Sequence, residues 1–267
     1  MQIEAKIKEA FEILEKRVPL VHHITNYVTV NDCANVVLAI GASPIMADEE
    51  SEMEEMVSLA DALVLNIGTA NERTIASMLK AGSVANAKNI PVVLDPVGVG
   101  ATTFRRESTQ KLLDAIAFSV IRGNRAEMKT LAGREAKSSG VDSRDEGDDG
   151  INITQDLAQK LGCVIAMTGK EDIVCHAKEC YTLHNGDKAL QNVTGTGCMS
   201  SALIGGFVGA THDPLLSAIL GISTMAIAGE IADKSKGISS FKMALIDTIG
   251  VMNGSLMLEK IEIKQIF

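Results

Sequence analysis

The run Asn192-Val193-Thr194-Gly195-Thr196-Gly197-Cys198-Met199-Ser200-Ser201-Ala202-Leu203 gathers the residue types that hold an anion. Gly195 and Gly197 put no Cβ in the way of crowded backbone N–H groups. The small and apolar residues after them predict a helix, whose first N–H groups and dipole attract a phosphate. Cys198 adds a thiol that a helix N-terminus helps to ionise. An anion cradle beside a titratable group is the outline of a phosphoryl-transfer site. The same residues would also make a glycine-rich turn that packs a helix closely, and short glycine motifs occur by chance.

Three other places end an apolar run in a chemically useful residue. Asp95 closes Val92-Val93-Leu94 and leads into the flexible Pro96-Val97-Gly98-Val99-Gly100-Ala101-Thr102. Arg122 and Asn124 follow Val120-Ile121, and Glu127 comes one helical turn later as Asn-x-x-Glu. Thr168-Gly169 closes the run that starts at Cys163. Open α/β sheets place their sites at such strand ends. Asp95 and Glu127 next to a phosphate cradle suit Mg²⁺, a hard cation that keeps waters and takes few protein ligands. The plainer reading makes Asp95 a turn former before proline and Glu127 an exposed residue of a first helical turn. His22 and His23 lack a second pair at ligand spacing, so packed or hydrogen-bonded imidazoles are expected there. The twelve methionines read mostly as core filling.

These residues need a frame, and the hydrophobic periodicity supplies one. Ile3, Ile7, Phe11 and Leu14 predict an N-terminal helix that stops before Pro19. Strands are expected at 19–23, 44–47, 62–68, 90–95, 119–122 and 163–168, with helices between them at 28–40, 53–59, 74–87 and 107–117. Residues 173–183 suggest a hairpin at a sheet edge. Beyond Cys198 the pattern is helical almost to the end, with long segments at 215–232 and 243–260. Residues 134–150 are polar and acidic and predict a surface excursion. The alternation of strand and helix implies βαβ units, a mostly parallel central sheet flanked by helices, and a single α/β domain over residues 1–267.

Composition narrows the partners. Of 267 residues, 46% are hydrophobic and 22% charged, the balance of a globular protein. A net charge of −9 with no basic run argues against nucleic acid and against an anionic membrane surface. No Trp and only 3% aromatics leave no base-stacking platform. The five cysteines, Cys33, Cys163, Cys175, Cys180 and Cys198, form no metal-type pairs, and they read as free, mostly buried thiols in a reducing cytosol. The N-terminus mixes Glu and Lys into its apolar positions, unlike a signal peptide, and no apolar run reaches a membrane span without a polar break. A cytoplasmic protein is expected.

The motifs also carry a resemblance. Asn124-x-x-Glu127 with Gly195-Thr196-Gly197 ahead of a helix is similar to the pattern of ribokinase-like kinases. More specific are Val21-His22-His23-Ile24-Thr25-Asn26-Tyr27-Val28, Gly41-Ala42-Ser43-Pro44-Ile45-Met46, Asp95 to Thr102, and Ile121-Arg122-Gly123-Asn124. In order along essentially the whole chain, they resemble hydroxyethylthiazole kinases of thiamine salvage. The resemblance implies a ribokinase-like fold and transfer of the γ-phosphate of ATP to the primary alcohol of 4-methyl-5-(2-hydroxyethyl)thiazole. It also implies Mg²⁺ and a homotrimer with sites between subunits. Position by position, it implies that Met46, Gly195, Thr194, Asn26 and Val28 meet the thiazole. Arg122, Thr168, Asn124 and Gly197 meet the nucleotide, Asp95 and Glu127 organise Mg²⁺ through water, and Cys198 accepts the proton of the alcohol. Most ribokinase-like enzymes carry Asp at that last position, which puts the strength of the base in question. Alternatives are a hydroxymethylpyrimidine kinase, a nucleotide-repair dehydratase of the same fold, or a ligand-binding regulatory protein with weak transfer activity.

Overall fold

A computed structural model describes residues 2–134 and 146–267. The chain opens with α1 (Gln2–Arg17), then alternates β1 (Leu20–Ile24), α2 (Val30–Ala39), β2 (Ser43–Met46), α3 (Met53–Leu59), β3 (Ala62–Asn66), α4 (Glu72–Ala87), β4 (Val92–Asp95) and α5 (Thr103–Ala115). It continues through β5 (Val120–Asn124), α6 (Arg125–Leu131), α7 (Glu146–Leu161), β6 (Val164–Thr168), β7 (Asp172–His176) and β8 (Glu179–Leu183). Four helices close the chain, α8 (Thr196–Thr211), α9 (Pro214–Ile231), α10 (Ile238–Gly250) and α11 (Gly254–Lys260), followed by β9 (Ile263–Gln265).

The described strands form one nine-stranded sheet in the order β2-β1-β3-β4-β5-β6-β7-β8-β9. The first six of that order are parallel and the last three antiparallel. Parallel strands are buried on both faces, and the alternation inside β3 shows how. Val64 points into a core shared with α1, α2, α8, α9 and α10, whereas Leu63 and Leu65 point into the opposite core with α3, α4, α5 and α7. The observed architecture is therefore an α/β sandwich, a mostly parallel sheet with helices on both faces.

Three expectations need correction. The hairpin does not lie at the edge, because β9 pairs with β8 and takes that position. The segment 243–260 is two helices bent by 117°, broken where Asn253 caps α11 by accepting from the N–H groups of Ser255 and Leu256. Cys175 and Cys180 are not free; they face each other across β7 and β8 with Cα atoms 4.2 Å apart and form a disulfide. The predicted excursion 134–150 lies mostly outside the described residues, at 135–145, and its last five residues open α7. By length and composition α9 could cross a membrane, yet 78% of it is buried here, between α8, α10 and the sheet. That burial explains an apolar surface all the way round the helix.

Candidate active site

Every residue with chemistry in view sits at the carboxyl ends of the parallel strands or on the turn into α8. Asn66 and Asp95 end adjacent strands and are register partners, as are Asn124 and Thr168. Asp95 is completely buried. Its Oδ2 accepts from Asn66 Nδ2 at 3.0 Å and from Ser201 Oγ at 2.8 Å, and lies 3.8 Å from Arg122 Nη1. Its Oδ1 is buried with no partner. Burial, against the pull of Arg122, pushes this carboxyl up to about 6. Arg122 in turn donates to Thr168 Oγ1 at 2.5 Å.

The start of α8 is built from two close approaches. Gly195, the N-cap, has φ +89°, and a Cβ there would stand 2.3 Å from Thr29 Cγ2. A Cβ on Gly197 would stand 2.4 Å from Arg122 Nη1. Glycine at these points lets the first turn of α8 seat against β1's loop on one side and against the guanidinium on the other. Unbonded N–H groups of that turn are then free for an anion.

Cys198 lies in the same turn, half-buried. Its Sγ accepts from Asn26 Nδ2 at 3.3 Å. The expectation that the helix end depresses this thiol is not met. Burial, followed by the nearby Asp95 carboxylate, raises it above the ordinary range, while the amide donors oppose the rise. Asn26 is itself fixed: its Oδ1 accepts from Thr29 N at 3.1 Å and Thr29 Oγ1 at 3.0 Å, and its Nδ2 also donates to Asn66 Oδ1 at 3.0 Å. Cys198, Asn26, Asn66, Asp95, Arg122 and Thr168 thus form one continuous polar chain.

Two clefts open on either side of this chain. A cleft of about 270 Å³ is lined by His23, Thr25, Met46, Asp48, Asn66, Arg73 and Met78 among others. A larger cleft of about 670 Å³ is lined by Arg122, Thr168, Gly169, Lys170, Asp172, Lys188, Thr196, Gly197 and an apolar wall of Ile222, Met225 and Ala226. Met46 and Asn66 therefore belong to the small side, and Arg122, Thr168 and Gly197 to the large one; Asn26 lines neither and reaches the small side through its bond to Asn66. Val28 is 58% exposed on the rim, and Thr194 is exposed ahead of the turn. Asn124 turns away from both clefts; its Oδ1 caps α6 by accepting from Glu127 N at 3.0 Å. Glu127 is buried rather than exposed, and its two oxygens accept from Asn124 N at 2.7 Å and Gly98 N at 2.8 Å. It completes a capping box and pins the loop after β4. His22 Nε2 bonds Ala47 O at 2.9 Å, and His23 is held neutral by burial, which pushes its imidazole down to about 3.

Asn66, Ser201 and Thr29 were not among the candidates. Asn66 had the same signal as Asp95, a lone polar residue closing an apolar strand. Ser201 looks like one more small residue of a helix, and only the packing of α8 over β4 shows that its hydroxyl meets Asp95.

The sequence model of the Hydroxyethylthiazole kinase family matches residues 11–254. The chain belongs to that family. It is 49% identical over 261 residues to a hydroxyethylthiazole kinase of Ruminiclostridium cellulolyticum, covering 96% of this chain and 95% of that one. It is 50% identical over 254 residues to the one of Alkaliphilus oremlandii, covering 93% and 94%. The solved structure of the hydroxyethylthiazole kinase protein from Pyrococcus horikoshii superposes with a TM-score of 0.90 at 38% identity, over 98% of this chain and 100% of that one. Pyridoxal kinase from Staphylococcus aureus, solved with AMP-PCP and pyridoxal, superposes with a TM-score of 0.64 at 14% identity and covers 93% and 98%, a likeness of fold. The chain is thus a kinase of the ribokinase-like fold whose acceptor is an alcohol.

Proposed function

We propose that this enzyme transfers the γ-phosphate of ATP to the primary alcohol of 4-methyl-5-(2-hydroxyethyl)thiazole, with Mg²⁺, in thiamine salvage. The observation that carries the reading is that two unequal clefts are joined through one buried carboxylate, Asp95, whose Oδ2 meets Asn66 of the small cleft and Arg122 of the large one. The small cleft suits a single substituted ring, and the large one suits a nucleotide, with Ile222, Met225 and Ala226 against the base. Phosphoryl transfer needs alignment and charge stabilisation more than covalent help. The N–H groups opening α8 and the Arg122 guanidinium bind the γ-phosphoryl oxygens and hold them as their charge grows. Asn66 and Asn26 keep Cys198 beside the alcohol, where its sulfur accepts the proton late in the transfer. Its raised pKa leaves little of it as the thiolate that can take the proton near neutral pH.

Asp95 fits Mg²⁺ better than Glu127 does. Its Oδ1 is a buried oxygen without a partner, and Mg²⁺ is bound through one or two carboxylates plus substrate phosphates. Both oxygens of Glu127 already receive backbone N–H groups, so its contact would run through water or through the loop it pins. When bound, the ion supplies neutralisation of phosphate charge. The exposed apolar rim formed by Tyr27 and Val28, 79% and 58% exposed, supports a trimer in which a second copy covers the small cleft. The cytoplasm, where ATP is made, is the compartment this reading needs.

The test is ADP formation that depends on added hydroxyethylthiazole, with the phosphorylated thiazole identified by mass. Turnover with hydroxymethylpyrimidine and none with the thiazole alcohol would move the assignment within the fold. ATP binding without turnover on either would leave a binding protein.

A further inference from the structure

The loops after β3 and β4 carry the residues that must stay in register, Asn66 and Asp95, and one side chain ties both loops together. Arg105, in the first turn of α5, donates through Nη1 to Ile67 O and to Val97 O, both at 2.8 Å, and through Nη2 to Gly68 O at 2.6 Å. A guanidinium can serve three carbonyls in one plane in this way; an ammonium cannot. The first two carbonyls belong to different strand-end loops. The third belongs to a residue whose own N–H donates to Asn66 Oδ1 at 2.9 Å.

That last bond sets the orientation of the Asn66 amide. With Gly68 N–H and Asn26 Nδ2 both donating to Oδ1, the Asn66 Nδ2 group is left to donate to Asp95. A flipped amide would set oxygen against the Asp95 carboxylate and nitrogen against two donors. On the far side of the same loop, Gly98 N is held by Glu127. The segment 96–98 is therefore clamped by a cation on its carbonyls and a carboxylate on its N–H. Arg105 lines neither cleft.

We infer that Arg105 is a positioning residue for phosphoryl transfer: by pinning Gly68 and Val97 it fixes the Asn66 amide and the Asp95 carboxylate in the geometry the reaction needs. The inference rests on the proposed function for its kinetic arm, and on the fold alone for its exchange arm. Misplacement of a reacting group by about 1 Å costs on the order of 10²-fold in rate. Arg105→Ala should therefore lower kcat by about that factor, with KM for ATP and for the thiazole alcohol within about threefold of wild type. Added guanidinium ion should restore kcat at least about tenfold, because it can reoccupy the vacated site between the three carbonyls.

Independently of any substrate, amide hydrogen exchange at 66–70 and 96–101 should speed up about tenfold or more, with β3 and β4 protection unchanged. Arg105→Lys keeps the charge and can reach one carbonyl, so its kcat should fall between the two; it carries the test if the alanine variant does not fold. A kcat within about twofold of wild type would overturn the inference. So would a loss of kcat with no guanidinium rescue and with protection lost across the whole sheet, which would make Arg105 a folding residue. Wild-type enzyme inactive on the thiazole alcohol would instead remove the proposed function, leaving the exchange arm to decide the clamp.

Discussion

The two clefts joined through Asp95 differ in how they are made polar. The small one carries the exposed Arg73–Asp48 ion pair, but toward Asp95 its lining is uncharged, the Asn66 amide and the His23 imidazole kept neutral. The large one is bounded by the buried Arg122–Asp95 pair and by the open N–H groups of a helix. Neutral groups suit the discrimination of a small uncharged alcohol, because a buried donor or acceptor left unpaired by the wrong ligand is costly. Fixed charges suit a polyphosphate, whose charge grows during transfer. The turn into α8 packs Gly195 against Thr29 and Gly197 against Arg122 of the large cleft.

The largest effect is expected at the charged wall. Asp95→Asn should lower kcat by about 10²–10³-fold, measured at saturating substrates, while the protein stays folded. Removing the charge also changes the pH dependence of stability. A carboxyl raised to about 6 in the fold contributes stability that is present below the unfolded pKa and lost as pH rises through 6. Asn at 95 should therefore gain in Tm relative to wild type between about pH 4.5 and pH 7, read by thermal melts; an unchanged difference would deny the buried titration.

Cys198 comes next. Cys198→Ala should lower kcat by less than about 10²-fold, because the anion cradle and Arg122 remain. Cys198→Asp should raise kcat near pH 7, since Asn26 Nδ2 can donate to a carboxylate as it does to the sulfur and a carboxylate ionises far more readily. A kcat profile across pH for the three proteins checks both; equal profiles would reduce residue 198 to a turn residue.

The two glycines separate the walls. Gly197→Ala should raise KM for ATP about tenfold and that for the alcohol little, and Gly195→Ala the reverse, as an overpacked Cβ costs roughly 1–3 kcal/mol at its own contact. Equal effects on both KM values would mean that the turn moves as one body. The smallest effect is at His23. With its folded value depressed to about 3 from 6.5, it contributes stability that is full above 6.5 and lost as pH falls toward 3. His23→Leu should flatten the fall in Tm between about pH 6.5 and pH 4.5, opposite in sign to the Asp95 effect.

Much of this was legible in the chain. Strand periodicity placed Asp95, Arg122 and Thr168 at strand ends, and the glycine run placed the anion turn, because both signals are local. The partners that need two distant elements were not legible. Ser201 meets Asp95 across 106 positions, and Asn26 meets Cys198 across 172. Arg105 stands in the polar run Thr103-Phe104-Arg105-Arg106-Glu107, which reads as a solvated helix face until its carbonyl partners are seen. Glu127 carries two signals at once. Asn-x-x-Glu is also a capping box, and the same spacing serves both purposes. At Cys198 the helix N-terminus is a local signal, whereas the burial and the Asp95 carboxylate that raise the thiol come from distant elements.

The central claim is that the alcohol occupies the small cleft and the nucleotide the large one, with the transferred group at the first turn of α8. A crystal structure with hydroxyethylthiazole, Mg²⁺ and a non-hydrolysable ATP analogue tests it most directly. The account predicts the ring beside Met46 and Asn66, the base against Ile222 and Met225, and the γ-phosphate between Arg122 and the N–H of Gly197, with the alcohol oxygen facing Cys198. Nucleotide density in the cleft of Met46, or a thiazole more than one residue's reach from Cys198, would contradict it.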